Sequence, residues 1–184
     1  MLGSLVRSAL GRSGYMLVKY RTPRGGFGNA AAGDAAPATY APDMEPEFQA
    51  LHQRCRAFTM TPVERMYNLY IAMRHVLRHG VAGDIVECGV WRGGSAMLCA
   101  LMLEAAGDED RRVWLYDTFS GMAAPTDKDL AADGTSTREI WEASRRGGHN
   151  DWCFAPLDDV KANMASTGIR ADRVVCVQGK VEDT

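Results

Sequence analysis

The chain has 184 residues, of which 46% are hydrophobic and 24% charged, enough for one domain with a core and unlike a disordered or fibrous protein. Its 23 acids and 21 bases leave a formal charge of −2, which argues against a general nucleic-acid binder, and no apolar run reaches the roughly 20 residues of a bilayer-spanning helix. Five cysteines without a C-x-x-C pair argue against a disulfide framework or a zinc site and point to a reducing cytosol.

The charge is uneven. Residues 1–33 hold Arg7, Arg12, Lys19, Arg21 and Arg24 and no acid, so they carry +5 and the remainder −7. Leu2, Leu5, Val6, Ala9 and Leu10 follow one face of a helix. A short basic amphipathic segment can rest at a membrane surface, which makes residues 1–20 a candidate for weak peripheral contact; a solvated tail or a docking arm is the simpler reading. The stretch is also Arg-rich and acid-poor like a transit peptide, without a clear cleavage signal. Residues 22–46 are dominated by Gly, Ala and Pro and read as a linker. Residues 1–57 are therefore expected to be an N-terminal segment with a linker, and residues 58–184 the folded domain.

Thr61-Pro62-Val63-Glu64 has the pattern of a capping box with proline at the first helical position, Thr61 accepting from the Glu64 N–H and Glu64 reaching back. Val63, Met66, Tyr67, Tyr70, Ile71 and Leu77 continue a helical stripe that Gly80 closes. His75 and His79 are spaced to clasp a metal, but without a nearby carboxylate or cysteine they read as complements to the helix C-terminal dipole.

Residues 84–88 read as a short buried strand. It runs into Gly89-Val90-Trp91-Arg92-Gly93-Gly94-Ser95 and then a helix carrying Met97, Leu98, Leu101, Met102 and Ala105, closed by Gly107. Residues 113–117 form the next strand and end in Asp117. A strand, a glycine turn, a helix and a strand ending in a carboxylate make a βαβ nucleotide-binding unit. A dinucleotide site wants G-x-G-x-x-G, with room for a pyrophosphate at its second glycine; here that position is Trp91. Glu87 would repel a pyrophosphate but suits a ligand with an ammonium group, and Asp117 suits a ribose diol. These charges favour S-adenosylmethionine over NAD, although a tight structural turn also explains the glycines taken alone.

The second strand tip continues into Thr118-Phe119-Ser120-Gly121-Met122 and a long polar insert over 123–150, either a lid or a solvated excursion. A helix begins at Pro156-Leu157-Asp158-Asp159 and ends at Gly168, and residues 173–178 form the third strand. Three parallel strands with flanking helices give an α/β, Rossmann-like architecture. With the first strand at an open edge, the isolated chain is expected to self-associate or to need a complementing C-terminal fragment.

GDIVECGVWRGGS (83–95), LYDTFSGM (115–122), WCFAPLDDVKANMASTG (152–168) and DRVVCVQGKVEDT (172–184) closely resemble the macrocin O-methyltransferase family, TylF type, over residues 58–184. The resemblance implies the N-terminal part of a class I methyltransferase fold that uses S-adenosylmethionine, in a family that is magnesium-dependent and methylates sugar hydroxyls of glycosylated natural products. Carried over by position, Glu87, Gly89, Gly93 and Ser95 would hold the methionine end and adjoining ribose, and Asp117 the ribose hydroxyls, with Thr118 and Phe119 beside them. Glu182 and Asp183 would lie near the adenine, and Met60 and Thr61 would approach from the preceding helix. Residues 127–152 would be the lid and acceptor side. The family's magnesium-ligating aspartates and proton-accepting base correspond to positions beyond Thr184, so no catalytic or metal residue is assigned. The expected function is a sugar O-methyltransferase. The alternatives are a non-catalytic S-adenosylmethionine-binding or interaction module and, disfavoured by Trp91 and Glu87, an NAD-linked oxidoreductase.

Overall fold

The computed structural model describes residues 38–130 and 136–184. The amphipathic pattern of residues 1–20 and the membrane contact expected of it lie outside the described residues. Among those residues no helix is long and apolar enough to cross a membrane.

In chain order the elements are α1 (Pro46–Cys55), α2 (Val63–Arg78), β1 (Ile85–Cys88), α3 (Gly94–Ala106), β2 (Val113–Asp117), α4 (Arg138–Ala143), α5 (Leu157–Ala165) and β3 (Val174–Gln178), with single 3-10 turns at Arg56–Phe58, Ala171–Arg173 and Val181–Asp183. The strands pair in parallel in the order β1-β2-β3, with Ile85 beside Val113 and Val113 beside Val174. This is the expected three-stranded α/β sheet, with β1 at one edge.

Helix α3 organises the core. Its sequence, GSAMLCALMLEAA, is apolar all round, and residues 96–103 are buried without interruption, as befits a helix enclosed on every side. It packs against α1, α2, α5 and β2. One face of the sheet belongs to this core: Val113 and Leu115 are wholly buried there. The opposite face is barer, and Val86 is 60% exposed on it. Gly107 ends α3 in the left-handed region, and Gly80 follows α2 in the same way. There the Val81 N–H donates to the Val76 carbonyl at 3.1 Å and the Gly80 N–H to the Leu77 carbonyl at 3.4 Å, the hydrogen-bond pattern of a glycine-terminated helix.

Two expectations change. The capping box is not formed: α2 starts after Pro62, and no side chain caps it. The Thr61 N–H donates instead to Thr59 Oγ1 at 3.0 Å, a local turn that competes with the cap. The second change lies upstream. Residues 46–55 form a helix whose Phe48 and Cys55 are fully buried, so packing does not begin at residue 58. Phe48 sits among Tyr40, His52, Tyr67 and Tyr70, with ring centroids 5.0–6.2 Å away. Only Phe48, Leu51 and Cys55 mark its apolar face, a stripe too thin to stand out beside a Gly/Ala/Pro-rich stretch. Glu45 ties this layer to α2: it accepts from the Tyr67 hydroxyl at 2.7 Å and from Arg74 at 2.6 Å. Those two bonds hold its carboxyl down at about 2.

Candidate cofactor site

The parallel ladder brings three loops side by side at the C-terminal rim of the sheet. The Gly89 N–H donates to the Tyr116 carbonyl at 2.8 Å, and the Gly179 N–H to the Asp117 carbonyl at 3.0 Å. The segments after β1, β2 and β3 therefore start level with one another, where open α/β sheets bind their ligands. Between them lies a cleft of about 480 Å³.

Asp117 is the knot of this rim. Its Oδ2 accepts from the Val90 N–H at 2.6 Å and the Trp91 N–H at 3.1 Å, and its Oδ1 accepts from the Phe119 N–H at 2.9 Å. The side chain expected to take ribose hydroxyls thus also fixes the glycine turn. A carboxylate oxygen has two lone pairs, so Oδ1 keeps acceptor capacity toward the cleft.

Glu87 lies on the core side of β1, beneath the turn. Burial pushes its carboxyl up to about 7, against the opposing hydrogen bonds from the Ser95 hydroxyl and the Ala96 N–H. Its Oε2 is buried without a partner. A buried carboxylate oxygen lacking a donor is costly, which favours the protonated form.

Of the residues carried over from the resemblance, Met60, Gly89, Asp117, Thr118 and Glu182 line the cleft. Met60 enters from the loop before α2, and Glu182 from the 3-10 turn after β3. Gly93, in the left-handed region, meets α5, where an added Cβ would lie 3.6 Å from Val160 and 3.9 Å from Met164. The Ser95 hydroxyl oxygen also lies 3.8 Å from Met66 Sδ. Thr61, Glu87, Gly93, Ser95 and Asp183 are not on the cleft wall, and Phe119 is buried in the core with a positive φ of 51°.

The wall also holds residues that motif reading passed over, among them Trp91, Tyr116, Gly121, Cys153 and Lys180. Trp91 and Gly121 stand inside quoted motifs and could have been found there. Cys153 also stands in the quoted segment 152–168, but only the return of the insert brings it to the rim. That return is tightly made: the Met122 N–H donates to the Trp152 carbonyl at 2.9 Å, and the Asn150 N–H to the Ser120 carbonyl at 2.8 Å. Asn150 further donates to the Trp141 carbonyl at 2.8 Å. Gly121 passes so close that a Cβ there would lie 1.9 Å from the Asn150 oxygen.

Sequence and structure comparisons agree with this architecture. The macrocin-O-methyltransferase (TylF) family model matches residues 34–184. The chain is 38% identical over 144 residues to 8-demethyl-8-(2,3-dimethoxy-alpha-L-rhamnosyl)-tetracenomycin-C 4'-O-methyltransferase of Streptomyces olivaceus, covering 78% of this chain and 52% of that relative. It is 33% identical over 130 residues to mycinamicin III 3''-O-methyltransferase of Micromonospora griseorubida, covering 70% of this chain and 48% of the relative. The solved structure of the O-methyltransferase NovP superposes with a TM-score of 0.56 at 29% identity, covering 69% of this chain and 49% of that one. The chain spans about half the length of the curated relatives it matches. With the parallel sheet, the glycine turn and the acid at the β2 tip all in place, the chain belongs to the macrocin-O-methyltransferase (TylF) family.

Proposed function

We propose that this chain supplies the S-adenosylmethionine-binding part of an O-methyltransferase acting on a sugar hydroxyl of a glycosylated natural product. The observation that carries this reading is a cleft at the strand ends whose wall includes the acids Asp117 and Glu182, with the Glu87 carboxyl buried close enough to Asp117 to feel its charge. That set of acidic acceptors suits a cationic, phosphate-free nucleoside and would repel a pyrophosphate. Two of the relatives named above support the sugar acceptor, one called a 4'-O-methyltransferase of a rhamnosyl-tetracenomycin and the other a 3''-O-methyltransferase of mycinamicin III.

In this reading Glu87 pairs with the ligand's ammonium group and Asp117 accepts from its ribose hydroxyls while keeping the turn in place. Thr118 and Glu182 flank the nucleoside, and Met60 covers it from the α2 side. When bound, the cofactor supplies an electrophilic methyl group on a sulfonium. The chain's own contribution is to orient that group and to shield it from water, the positioning on which such a transfer depends. The insert, anchored at Gly121 and Asn150, forms the acceptor side. Among the described residues no three His, Cys, Asp or Glu side chains gather as a metal site.

Titration calorimetry of the 184-residue chain with S-adenosylhomocysteine, alongside a methyl-transfer assay on glycosylated acceptors, tests the proposal. Binding with turnover supports it in full. Binding without turnover makes this chain a binding module, and binding of a nicotinamide dinucleotide in place of S-adenosylhomocysteine overturns it.

A further inference from the structure

The chain has four histidines, and two of them are engaged. His52 Nδ1 lies 3.0 Å from the Tyr40 hydroxyl, and His149 Nε2 lies 3.0 Å from Asp151 Oδ1. The imidazoles of His75 and His79 have no hydrogen-bond or ion-pair partner among the described residues. They meet each other instead. Both are exposed at the C-terminal end of α2, and their ring centroids lie 4.4 Å apart with the planes tilted by 43°. The His79 N–H donates to the His75 carbonyl at 3.0 Å, so the helical turn that brings positions i and i+4 together is intact.

The surroundings suit a cation at this pair although its sequence neighbours are basic. Arg74 is bound to Glu45 at 2.6 Å. Arg74, Leu77 and Arg78 line a cavity between α1, α2 and α3, on a face of the helix turned by about 100° from that of the histidines. The histidines' own face continues through the exposed and uncharged Asn68 and Ala72. The helix C-terminus adds partial negative charge. Imidazole is a favoured ligand of zinc, copper and nickel. Metal–nitrogen bonds of about 2 Å let two nitrogens up to about 4 Å apart share one ion, a span within reach of rings placed as these are.

We propose that His75 and His79 form a bidentate site for a late first-row divalent metal ion (nickel, copper or zinc) at the C-terminal end of α2. Among the described residues no third His, Cys, Asp or Glu joins them, so water completes the coordination. The site is separate from the cleft: Met60, on the cleft wall, precedes the other end of α2, roughly 20 Å away along the helix axis. Magnesium, which takes oxygen ligands, does not suit it. A bound ion joins two residues one turn apart and thereby holds the last turn of α2, where helices otherwise fray.

Titration calorimetry of the untagged 184-residue chain with Ni²⁺ tests the site. One ion should bind per chain and raise the melting temperature, because a ligand of the native state stabilises it. His75→Asn and His79→Asn should each weaken Ni²⁺ by about tenfold or more, since metal sites lose that much even with an outer-shell partner. Both positions are exposed, so the substitutions leave the fold in place. His149→Asn, outside the pair, should leave the affinity unchanged, and excess Mg²⁺ should not displace Ni²⁺. No binding to the unmodified chain, equal binding by the His75 and His79 variants, or displacement by Mg²⁺ overturns the proposal. A second measurement reads the unmodified chain. In a ¹H–¹³C spectrum of the imidazoles, paramagnetic Ni²⁺ added below one equivalent should broaden two ring signals together. The His149 signal, identified by its loss in His149→Asn, should persist. Broadening of all four rings alike, or of a single ring, overturns the proposal.

Discussion

Glu87 carries the clearest residue-scale consequence. Its carboxyl titrates near 7 in the folded chain because burial disfavours the charged form. A group whose folded pKa is raised holds its proton in the native state after the unfolded state has lost it. Its contribution to stability is therefore full below about 4.5, the ordinary value, and is lost as pH rises toward about 7. Glu87→Gln should flatten this part of the stability–pH profile, read by urea titration at successive pH values. The same proton must leave before an ammonium group can pair with the carboxylate. Affinity for S-adenosylhomocysteine should thus climb with pH up to about 7 and level off, and the climb should disappear in Glu87→Gln. Asp117 acts differently, since its oxygens hold three backbone N–H groups. Asp117→Ala should weaken the ligand and also destabilise the turn by about 1–3 kcal/mol, the cost of buried donors left unpaired. Thermal melting with and without ligand separates the two effects. At Gly121 a methyl group would strike the Asn150 carbonyl, in a backbone with φ of 85°. Gly121→Ala should therefore lower stability by roughly 1–3 kcal/mol, and an unchanged melting temperature would show that the neck of the insert yields.

At the scale of elements, α1 is the piece that composition hid. A fully buried phenylalanine ringed by Tyr40, Tyr67 and Tyr70 makes α1 part of the core. Phe48→Ala should cost about 3–5 kcal/mol, the usual penalty for emptying such a site, as measured by denaturant unfolding. The same reasoning separates two shortened chains. Residues 38–184 keep the aromatic layer, whereas residues 58–184 lose it and expose Tyr70 and Met66, both buried in the full structure. The shorter chain should melt lower or fail to fold, and equal melting would return the domain boundary to residue 58. The strands and α3 were legible because their signals are local: short β-branched and aromatic runs ending at Cys88, Asp117 and Gln178, and an apolar segment closed by Gly107. Helix α2 was legible in its stripe but not in its cap, because Thr59 and Thr61 offer rival hydroxyls and only the folded loop selects between them.

The whole molecule presents a sheet with β1 at its edge and Val86 exposed on the barer face. An edge strand offers unpaired N–H and C=O groups to another chain, and this one has no proline to blunt it. Expressed as 184 residues, the chain should self-associate, seen as a concentration-dependent shift in size-exclusion chromatography. Val86→Lys should reduce that shift by placing a charge on the exposed face. A monodisperse monomer at all concentrations would show that both edge and face are covered.

The sequence by itself determined the parallel βαβ framework, the glycine turn, the acids at its two strand tips and the family, because each depends on residues close together in the chain. Motif positions also placed Met60, Gly89, Asp117, Thr118 and Glu182, which meet at one cleft once parallel pairing aligns the strand ends. Tertiary structure alone decided the rest. It turned Asp117 into the clamp of the glycine turn, set Gly93 against α5, and sank Phe119 into the core. It also stranded the unpaired atoms of Glu87 and Trp91. Whether a polar atom is buried, and whether a partner reaches it, depends on neighbours supplied by distant segments, and no local pattern records them.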